Sequence, residues 1–404
     1  MTETILVVNA GSSSIKFQLF SVAARDQLQR QLKGQIEGIG VRPRLIVKET
    51  EGQPPIEEEW SASEVATLPQ ALEKLVAFLR ARLGSLPAAI GHRVVHGGPD
   101  YSEPTVIDDI IIERLERFTP LAPLHQPNNL APIRAVRAGQ PQLLQVACFD
   151  TAFHRTHPEI ADRYAIPEQF YAEGVRRYGF HGLSYEYIAS KLPEIAPEIA
   201  RGRVIVAHLG SGASMCAISA GKSVDSTMGF TALDGLPMGT RPGQLDPGIM
   251  LYLMSEKHMS AKEIERLLYN DCGLKGLSGI SNDVRELLKS QDPRAKLALD
   301  HFVYRISLFG GMLAAAMGGI DGFVFTAGIG ENAPAIREAV AKRLAWLGLD
   351  LDLKANANGE ARISNKESRV ACYVIPTDEE LMIARHTLAV LQSQRATVLE
   401  EKQA

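Results

Sequence analysis

The feature that most constrains the fold is a strand–turn–strand pattern that occurs twice. In the first copy, an apolar run over residues 5–9 leads into the turn Gly11–Ser14, and an alternating run follows over residues 15–19. Two periodic runs joined by a small-residue turn predict an antiparallel hairpin. Residues 202–218 repeat the pattern around a Gly-Ser-Gly turn. One hairpin early in each half of the chain indicates a duplicated fold.

Both turns have the chemistry of a phosphate site. The first offers backbone N–H groups, serine hydroxyls, the amide of Asn9 at its entrance and the ammonium of Lys16 at its exit. A concave set of donors suits a phosphate better than a neutral ligand. An ordinary serine-rich turn is the alternative for the first copy taken alone. The second copy favours the phosphate interpretation for both.

Composition limits the partners of the chain. With 404 residues it is long enough for two domains, and its net charge of −4 argues against nucleic acid or an anionic membrane as a partner. An anion site must therefore be a local basic pocket. The four cysteines have no regular spacing and are expected to be reduced thiols, the N-terminus lacks the basic region of a signal peptide, and the apolar run 306–320 is short for a membrane span. We expect a cytoplasmic protein.

Charged and imidazole side chains interrupt several apolar or glycine-rich segments. Arg93 lies in a predicted strand over residues 88–95, either as half of a salt bridge between domains or as a clamp for a carboxylate or phosphate. Asp150 lies at the C-terminal end of the predicted strand 144–151, where ligand chemistry gathers in α/β sheets. His181 lies between glycines, and Ser184 is expected to cap the next helix. Arg241 lies in a long loop rich in glycine and proline, typical of an active site.

The remaining segments predict an α/β chain. We expect a third strand over residues 44–50, a helix over 64–83, a proline-rich loop over 120–129 in which His125 is structural, and a strand over 322–326. Residues 220–223 resemble the end of a P-loop but lack its first glycine. Residues 328–333 match a dinucleotide fingerprint, which leaves an NAD-dependent oxidoreductase as a distant alternative.

Four motifs in this order resemble the acetate/propionate kinase family of the sugar kinase/heat-shock-70/actin superfamily: VNAGSSSIKF, RYGFHGLSY, GFTALDGLPMGTR and FTAGIGEN. The resemblance implies two duplicated, actin-like (ribonuclease H-like) α/β domains around a nucleotide-binding cleft. The N-terminal domain would comprise residues 1–150 with the final helix 380–404, and the second domain residues 151–379. It also implies a homodimer that uses ATP or ADP and Mg²⁺, or Mn²⁺, to phosphorylate acetate reversibly. A propionate kinase is the alternative within the family.

The resemblance also implies roles for individual residues. The catalytic residues would be Asp150, His181 and Arg241, with Asp150 orienting Arg241 or a Mg²⁺-bound water. The acid would contact Arg93, Val95, Leu124, Phe180 and Ala232, and Mg²⁺ would bind Asn9 and Glu379. The nucleotide would contact Ser12, Ser14, Lys16, His208, Leu209, Gly210, Ser211, Gly212, Asp283, Val284, Arg285, Gly328, Ile329, Gly330, Glu331 and Asn332.

The chain departs from the family pattern at a few positions. Ser211 replaces an asparagine, Pro242-Gly-Gln244 replaces Ser-Gly-Asp, and Asp378 replaces an asparagine beside the metal carboxylate. Ala232 replaces a proline of the acid pocket, which leaves room for one more methylene. Because one methylene decides only about 1–3 kcal/mol, we expect acetate to be the best substrate and propionate to be used appreciably.

Overall fold

The computed structural model describes residues 3–11, 13–24, 27–49, 53–123 and 125–401, so the predicted site residues Ser12 and Leu124 lie outside the described residues. The chain divides into two compact units. Unit 1 comprises residues 1–152 and 378–404, and unit 2 comprises residues 153–377. Within the described ranges, no helix combines the length and the apolar character needed to cross a membrane.

Strands predominate in the first part of the chain. In the described part of residues 3–152, the elements are β1 (Thr4–Ala10), β2 (Ser14–Val22), β3 (Leu28–Glu37), β4 (Arg44–Lys48), β5 (Ile56–Glu59), α1 (Leu68–Leu83), β6 (Ala89–Val94), β7 (Thr105–Val106), α2 (Asp109–Glu116), α3 (Gln126–Gly139) and β8 (Leu144–Phe149).

Helices predominate in the second part. From residue 153 onward, the described elements are α4 (Glu159–Asp162), α5 (Glu168–Ala172), α6 (Gly182–Ile195), β9 (Arg203–Leu209), β10 (Ala213–Ser219), β11 (Lys222–Ser226), α7 (Pro247–Ser255), α8 (Ala261–Asn270), α9 (Gly273–Ser278), α10 (Val284–Lys289), α11 (Pro293–Met317), β12 (Gly322–Thr326), α12 (Ala327–Asn332), α13 (Pro334–Arg343), α14 (Leu353–Asn358), β13 (Ala371–Val374) and α15 (Glu379–Glu401).

The two sheets repeat one arrangement of strands. In unit 1 the strand order is β5-β4-β3-β2-β1-β6-β8-β7, and in unit 2 it is β11-β10-β9-β12-β13. The hairpins β1–β2 and β9–β10 are antiparallel, β1 and β6 run parallel to each other and to β8, and β9 and β12 run parallel to each other and to β13. Both predicted hairpins and the duplicated α/β fold are therefore confirmed.

The last helix of the chain packs directly on the first sheet. Ile90 of β6 belongs to the core that contains α1, so its neighbour Gly91 faces the opposite side of the sheet. A Cβ on Gly91 would lie 2.2 Å from Oγ1 of Thr387 and 2.6 Å from Cγ2 of Ile383, both on α15. A glycine is therefore required for this close approach. The packing brings the start of α15 to the strands that carry Arg93 and Asp150.

Several local predictions were wrong. The segment predicted as the third strand is the fourth, because the polar β3 precedes it. The proline-rich segment becomes helical at Gln126, since proline in a first turn loses no intrahelical hydrogen bond. Ser184 is not the cap of α6: the helix begins at Gly182, after His181 turns the chain with a φ of 58°.

Candidate active site

In unit 1, three predicted site residues surround the guanidinium of Arg93, which is itself a predicted site residue. Its Nε donates to Oδ1 of Asp150 at 3.0 Å and its Nη2 donates to Oδ2 of the same carboxylate. Its Nη1 donates to Oδ1 of Asn9 at 3.3 Å, and Oε2 of Glu379 lies 3.9 Å from its Nε. Asn9, Arg93 and Asp150 lie at the carboxyl ends of three neighbouring parallel strands, and Glu379 begins α15. These three partners of Arg93 all belong to unit 1.

Burial controls the charges of this cluster. It lowers the pKa of Arg93, but the facing carboxylates of Asp150 and Glu379 more than offset that effect and raise the pKa above the ordinary arginine value. Burial raises the pKa of Asp150, and the charge of Arg93 opposes this rise. Burial also raises the pKa of Glu379 to about 7, although Arg93 and Lys16 act in the opposite direction. Glu379 is thus a carboxylate that lacks full compensation of its charge.

The donor set at Glu379 fits a magnesium ion. Mg²⁺ prefers carboxylate and amide oxygens, and it usually keeps several waters and binds only one or two protein groups together with substrate phosphates. Both oxygens of Asp150 are already bound to Arg93, whereas Glu379 and Asn9 contact the guanidinium only at long distances. A divalent cation would relieve the uncompensated charge of Glu379. Asn9 and Glu379 are therefore the residues that fit the ion.

The hairpin β1–β2 places further predicted groups beside this cluster. Lys16 pairs with Asn9 in the register of the hairpin, and the N–H of Gly11 donates to the carbonyl of Ser14 at 2.8 Å, which closes the turn. Asp378, the departure beside Glu379, forms an ion pair with Arg30 of β3 and accepts a hydrogen bond from the N–H of Leu381. The extra charge of Asp378 is therefore balanced by Arg30.

Asn129 of α3 is a positioning residue of unit 1 that the sequence analysis did not identify. Its Oδ1 accepts from the N–H of Val95 at 2.9 Å, and its Nδ2 donates to the carbonyl of Ala10 at 2.7 Å. This amide joins the ends of β1 and β6. Val95, which was predicted to line the acid pocket, is 4% exposed. The sequence signals this residue only through the pair Asn128-Asn129, at the end of the segment 120–129 that is predicted as a loop.

In unit 2, two histidines stack beside the second small-residue turn. The rings of His181 and His208 are nearly parallel, with centroids 4.2 Å apart. Nδ1 of His181 lies 2.8 Å from Oγ of Ser214, and Nδ1 of His208 lies 2.8 Å from Oγ of Ser184. That hydroxyl also contacts Oγ1 of Thr377, which explains why Ser184 does not cap its helix. In each ring, Nδ1 therefore faces the serine hydroxyl, and Nε2 lies on the other side of the ring.

Arg241 reaches the same turn. A Cβ on Gly212 would lie 2.9 Å from Nη2 of Arg241 and 3.4 Å from Nε2 of His181. Nη1 of Arg241 donates to the carbonyl of Ala232 at 2.7 Å, and the N–H of Gly239 donates to the carbonyl of Ser211 at 3.1 Å. The glycine turn, the histidine and the arginine therefore converge, with Arg241 held by the backbone of its own loop.

The other predicted nucleotide segments adjoin this turn or share its sheet edge. A Cβ on Gly239 would lie 3.3 Å from the Asn282 carbonyl oxygen, which brings the segment 281–285 beside the Arg241 loop. Asp283 caps α10 and pairs with the exposed Arg285, whereas Val284 is buried. Thr326 pairs with His208 in the register of β12 and β9. The helix α12 follows Thr326 directly, so it begins at the edge of the sheet where β9 ends at Leu209, next to Gly210. This helix carries Gly328, Ile329, Gly330, Glu331 and Asn332.

Residues 220 and 221 form the hairpin turn between β10 and β11, and residues 222–223 begin β11. Ala220 and Gly221 both have positive φ, of 49° and 80°. The side chain of Ser223 is buried and lies 2.8 Å from Nδ1 of His154. The segment is therefore not a P-loop, as the missing first glycine indicated.

Unit 1 thus places Arg93 beside the carboxylates of Asp150 and Glu379, and unit 2 places Arg241 and His181 at a glycine turn. The chain matches the acetokinase family over residues 4–385. An acetate kinase of Nitrobacter hamburgensis is 63% identical over 389 residues, which cover 96% of each chain. Solved structures of a Porphyromonas gingivalis acetate kinase and a Francisella tularensis propionate kinase have TM-scores of 0.85 and 0.88 at 38% and 39% identity; they cover 96% and 95% of this chain, and 100% and 99% of their own.

The chain belongs to the acetokinase family, whose members are phosphotransferases with a carboxyl group as acceptor. ATP and ADP are the co-substrates of this family. The family match extends through α12, so the glycine pattern of that helix is not evidence for an NAD-dependent oxidoreductase.

We expect Glu379→Gln to raise the free energy of unfolding by about 1–3 kcal/mol at pH 8 and to change it little at pH 5. The pKa of Glu379 is about 7 in the folded chain, against 4.5 for an unperturbed glutamate. Between these two pH values, the folded state therefore binds more protons than the unfolded state. The stability of the parent protein therefore falls as the pH rises through this range, and glutamine avoids the loss. Urea unfolding in chelator at both pH values measures the difference.

The exposed Glu360→Gln serves as the control and should have no effect at either pH. A Glu379→Gln protein that is less stable than the parent at pH 8 would contradict the uncompensated charge of Glu379.

Proposed function

We propose that this protein is an acetate kinase that transfers the γ-phosphoryl group of ATP to acetate, reversibly and with Mg²⁺, to give acetyl phosphate and ADP. Acetate kinase activity is what the names of its close relatives state of those proteins. The observation that carries the proposal for this chain is the convergence of Arg241 and His181 on the Gly212 turn. A phosphoryl group seated at this turn would meet a guanidinium, an imidazole and backbone N–H groups.

These groups suit the transition state of phosphoryl transfer. Charge on the equatorial oxygens of the transferred group must be neutralised, and donors fixed in advance need no reorganisation during the reaction. Arg241 is held by the carbonyl of Ala232, and His181 by the hydroxyl of Ser214. We assign both residues to the transferred phosphoryl group. The segments 208–212, 283–285 and 328–332 are assigned to the nucleotide.

Arg93 is assigned to the carboxylate of the acid. Acetate is ionised at neutral pH, so its oxygen attacks without a general base. Asp150 binds Arg93 through both carboxylate oxygens and therefore orients the guanidinium. This partner differs from the sequence hypothesis, in which Asp150 orients Arg241 or a metal-bound water. Asn9 and Glu379 would hold Mg²⁺, which would supply positive charge to the phosphates. Ser12, Ser14 and Lys16, which follow Asn9 in the sequence, are assigned to the nucleotide.

The four apolar residues that the resemblance assigns to the acid are proposed to select it by size. Val95 and Phe180 are 4% and 2% exposed, Ala232 is half-buried, and Leu124 belongs to the proposal through its place in the sequence. Alanine in place of the family's proline leaves space for one methylene. Propionate should therefore be used appreciably, at a disadvantage within the roughly 10–200-fold that one methylene decides.

Acyl phosphate trapped with hydroxylamine tests the activity. With Mg·ATP, we expect hydroxamate from acetate first, propionate next and butyrate least. Arg241→Ala should lower kcat about 10²–10³-fold, because it removes a charge that stabilises the transition state. Arg203→Ala, at the opposite end of β9, is the matched control and should retain kcat. Equal turnover of butyrate would contradict the proposed selection by size, and an active Arg241→Ala protein would contradict the proposed role of this arginine.

We further propose that the protein is a homodimer formed through α7 and α11. The apolar helix α7 has no buried residue: Ile249, Leu251, Tyr252 and Met254 are between 41% and 65% exposed. Leu297, Leu308 and Met312 of α11 are also exposed, and Gln244 just before α7 accepts a hydrogen bond from Arg305 of α11. An apolar face of this kind typically marks an interface between subunits.

Leu251→Glu should convert the dimer to a monomer, because a carboxylate at the centre of an apolar interface would be buried without a partner. Light scattering after size-exclusion chromatography measures the mass. Leu353→Glu changes an equally exposed leucine of α14 and should leave the dimer intact. A monomeric parent protein, or a dimeric Leu251→Glu protein, would contradict the proposed interface.

A cytoplasmic location completes the proposal. The free cysteines Cys148, Cys216 and Cys372 are buried, as expected for thiols of a reducing compartment.

A further inference from the structure

We propose that His154 is a positioning residue for the reaction, because it fixes the backbone of residues 179–181 and thereby the direction of the His181 side chain. The inference rests on the role proposed above for His181. His154 lies in a short helical turn just after the boundary between the units, and its side chain is fully buried. It has no contact with Arg241 or Gly212 among those described for these residues, so it would act only through its neighbours.

The first contact of His154 is with the backbone just before His181. Its Nε2 lies 2.9 Å from the carbonyl oxygen of Phe180. A carbonyl only accepts, so this nitrogen must carry the proton. The ring also packs on Gly179, where a Cβ would lie 2.6 Å from Cγ and Cδ2 of the imidazole. Bond and packing together hold the two residues that precede His181.

This segment needs such support because its backbone is strained. Gly179 has a φ of 75° and His181 a φ of 58°. The left-handed region costs a non-glycine residue roughly 1–2 kcal/mol, and such a conformation persists only where the surroundings enforce it. Arg155 adds to the enforcement, since its Nη2 donates to the carbonyls of Arg177 and Tyr178 at 3.2 and 3.0 Å. The consecutive residues His154 and Arg155 therefore both bind the backbone of residues 177–180.

The second contact leads to the imidazole of His181. The ring of His154 meets the ring of Tyr185 edge to face, with centroids 5.6 Å apart. The hydroxyl of Tyr185 lies 2.5 Å from Oγ of Ser214, and this oxygen lies 2.8 Å from Nδ1 of His181. His154 thus supports His181 through its backbone and through the group that fixes its ring.

The tautomer of His154 is fixed from its other side. Burial lowers the pKa of His154 well below the ordinary histidine value, so the ring is neutral. With its proton on Nε2, its Nδ1 must accept from the hydroxyl of Ser223 at 2.8 Å. Ser223 has one proton to give, so it accepts from Nε2 of His157 at 2.8 Å. This order of donors keeps Nε2–H of His154 aimed at the Phe180 carbonyl.

Two substitutions at His154 separate positioning from packing. The amide of His154→Gln can place an N–H near the former Nε2, whereas the shorter amide of His154→Asn reaches only the position of Nδ1. We expect His154→Asn to lower kcat by about 10–100-fold with KM for ATP changed less than about twofold, and His154→Gln to recover most of kcat. A merely structural defect would lower the folded fraction of both proteins and would not distinguish them.

The decisive measurement is a double-mutant cycle with His181→Ala. If His154 acts through His181, adding His154→Asn to His181→Ala should lower kcat by less than about twofold further. Losses that multiply in full, or a His154→Asn protein with normal kcat, would overturn the inference while leaving the role of His181 in place. A His181→Ala protein with normal kcat would instead overturn that role and the inference together.

Two more variants control for folding. Cys216→Ala opens space in the same cluster, since its Sγ lies 3.1 Å from Oγ of Ser223, but it leaves the bond to Phe180 and should retain kcat. Ser223→Ala provides the test if His154→Asn does not fold, because it removes only the hydroxyl that fixes the tautomer. We expect a loss of kcat of several fold there, with unchanged KM for ATP, and normal kcat would count against the inference.

Discussion

The arrangement of unit 1 depends on the largely buried guanidinium of Arg93. A charge removed from water must be paired and hydrogen-bonded, and this one is surrounded by oxygen atoms from Asn9, Asp150 and Glu379. These partners come from the two strands on either side of β6, which carries Arg93, and from the helix that begins at residue 379. The need to satisfy one cation therefore links the first strand of the chain with its last helix. It also explains why α15 returns to the first sheet and packs against Gly91.

Arg93 compensates the charges of Asp150 and Glu379 unequally, and this difference bears on the proposed function. Asp150 binds Arg93 through both oxygens, whereas Glu379 lies at a long distance and has a raised pKa. One carboxylate thus holds the arginine in place, and the other keeps capacity for a cation. In unit 2, the left-handed backbone at His181 has a comparable effect: it is costly, it requires buried polar partners, and it directs the His181 imidazole at the glycine turn. Strain of this kind is common where a site must be fixed before its ligand binds.

The sequence predicted the parts of the fold whose signals are local. Both hairpins were predicted correctly because small residues separate two periodic runs, and β12 because it is apolar throughout. The strand β3 was missed because few of its positions are buried, and the start of α3 was placed too late because its prolines favour a loop. Hydrogen bonds between residues distant in sequence bring Arg241 to Gly212. Such bonds also give Asn129 and His154 their positioning roles. No motif records such bonds, so only the structure could place these residues.

The most direct test of this account is the kinetic effect of Asp150→Asn. The amide keeps the shape of the side chain but removes its charge and turns one acceptor into a donor, which faces a donor of Arg93. We expect kcat/KM for acetate to fall about 10²–10³-fold, because a buried charge loses its partner, while the concentration of Mg²⁺ for half-maximal activity changes little. A variant with near-normal kcat/KM for acetate would show that Arg93 does not depend on Asp150 and would contradict the proposed role of this ion pair.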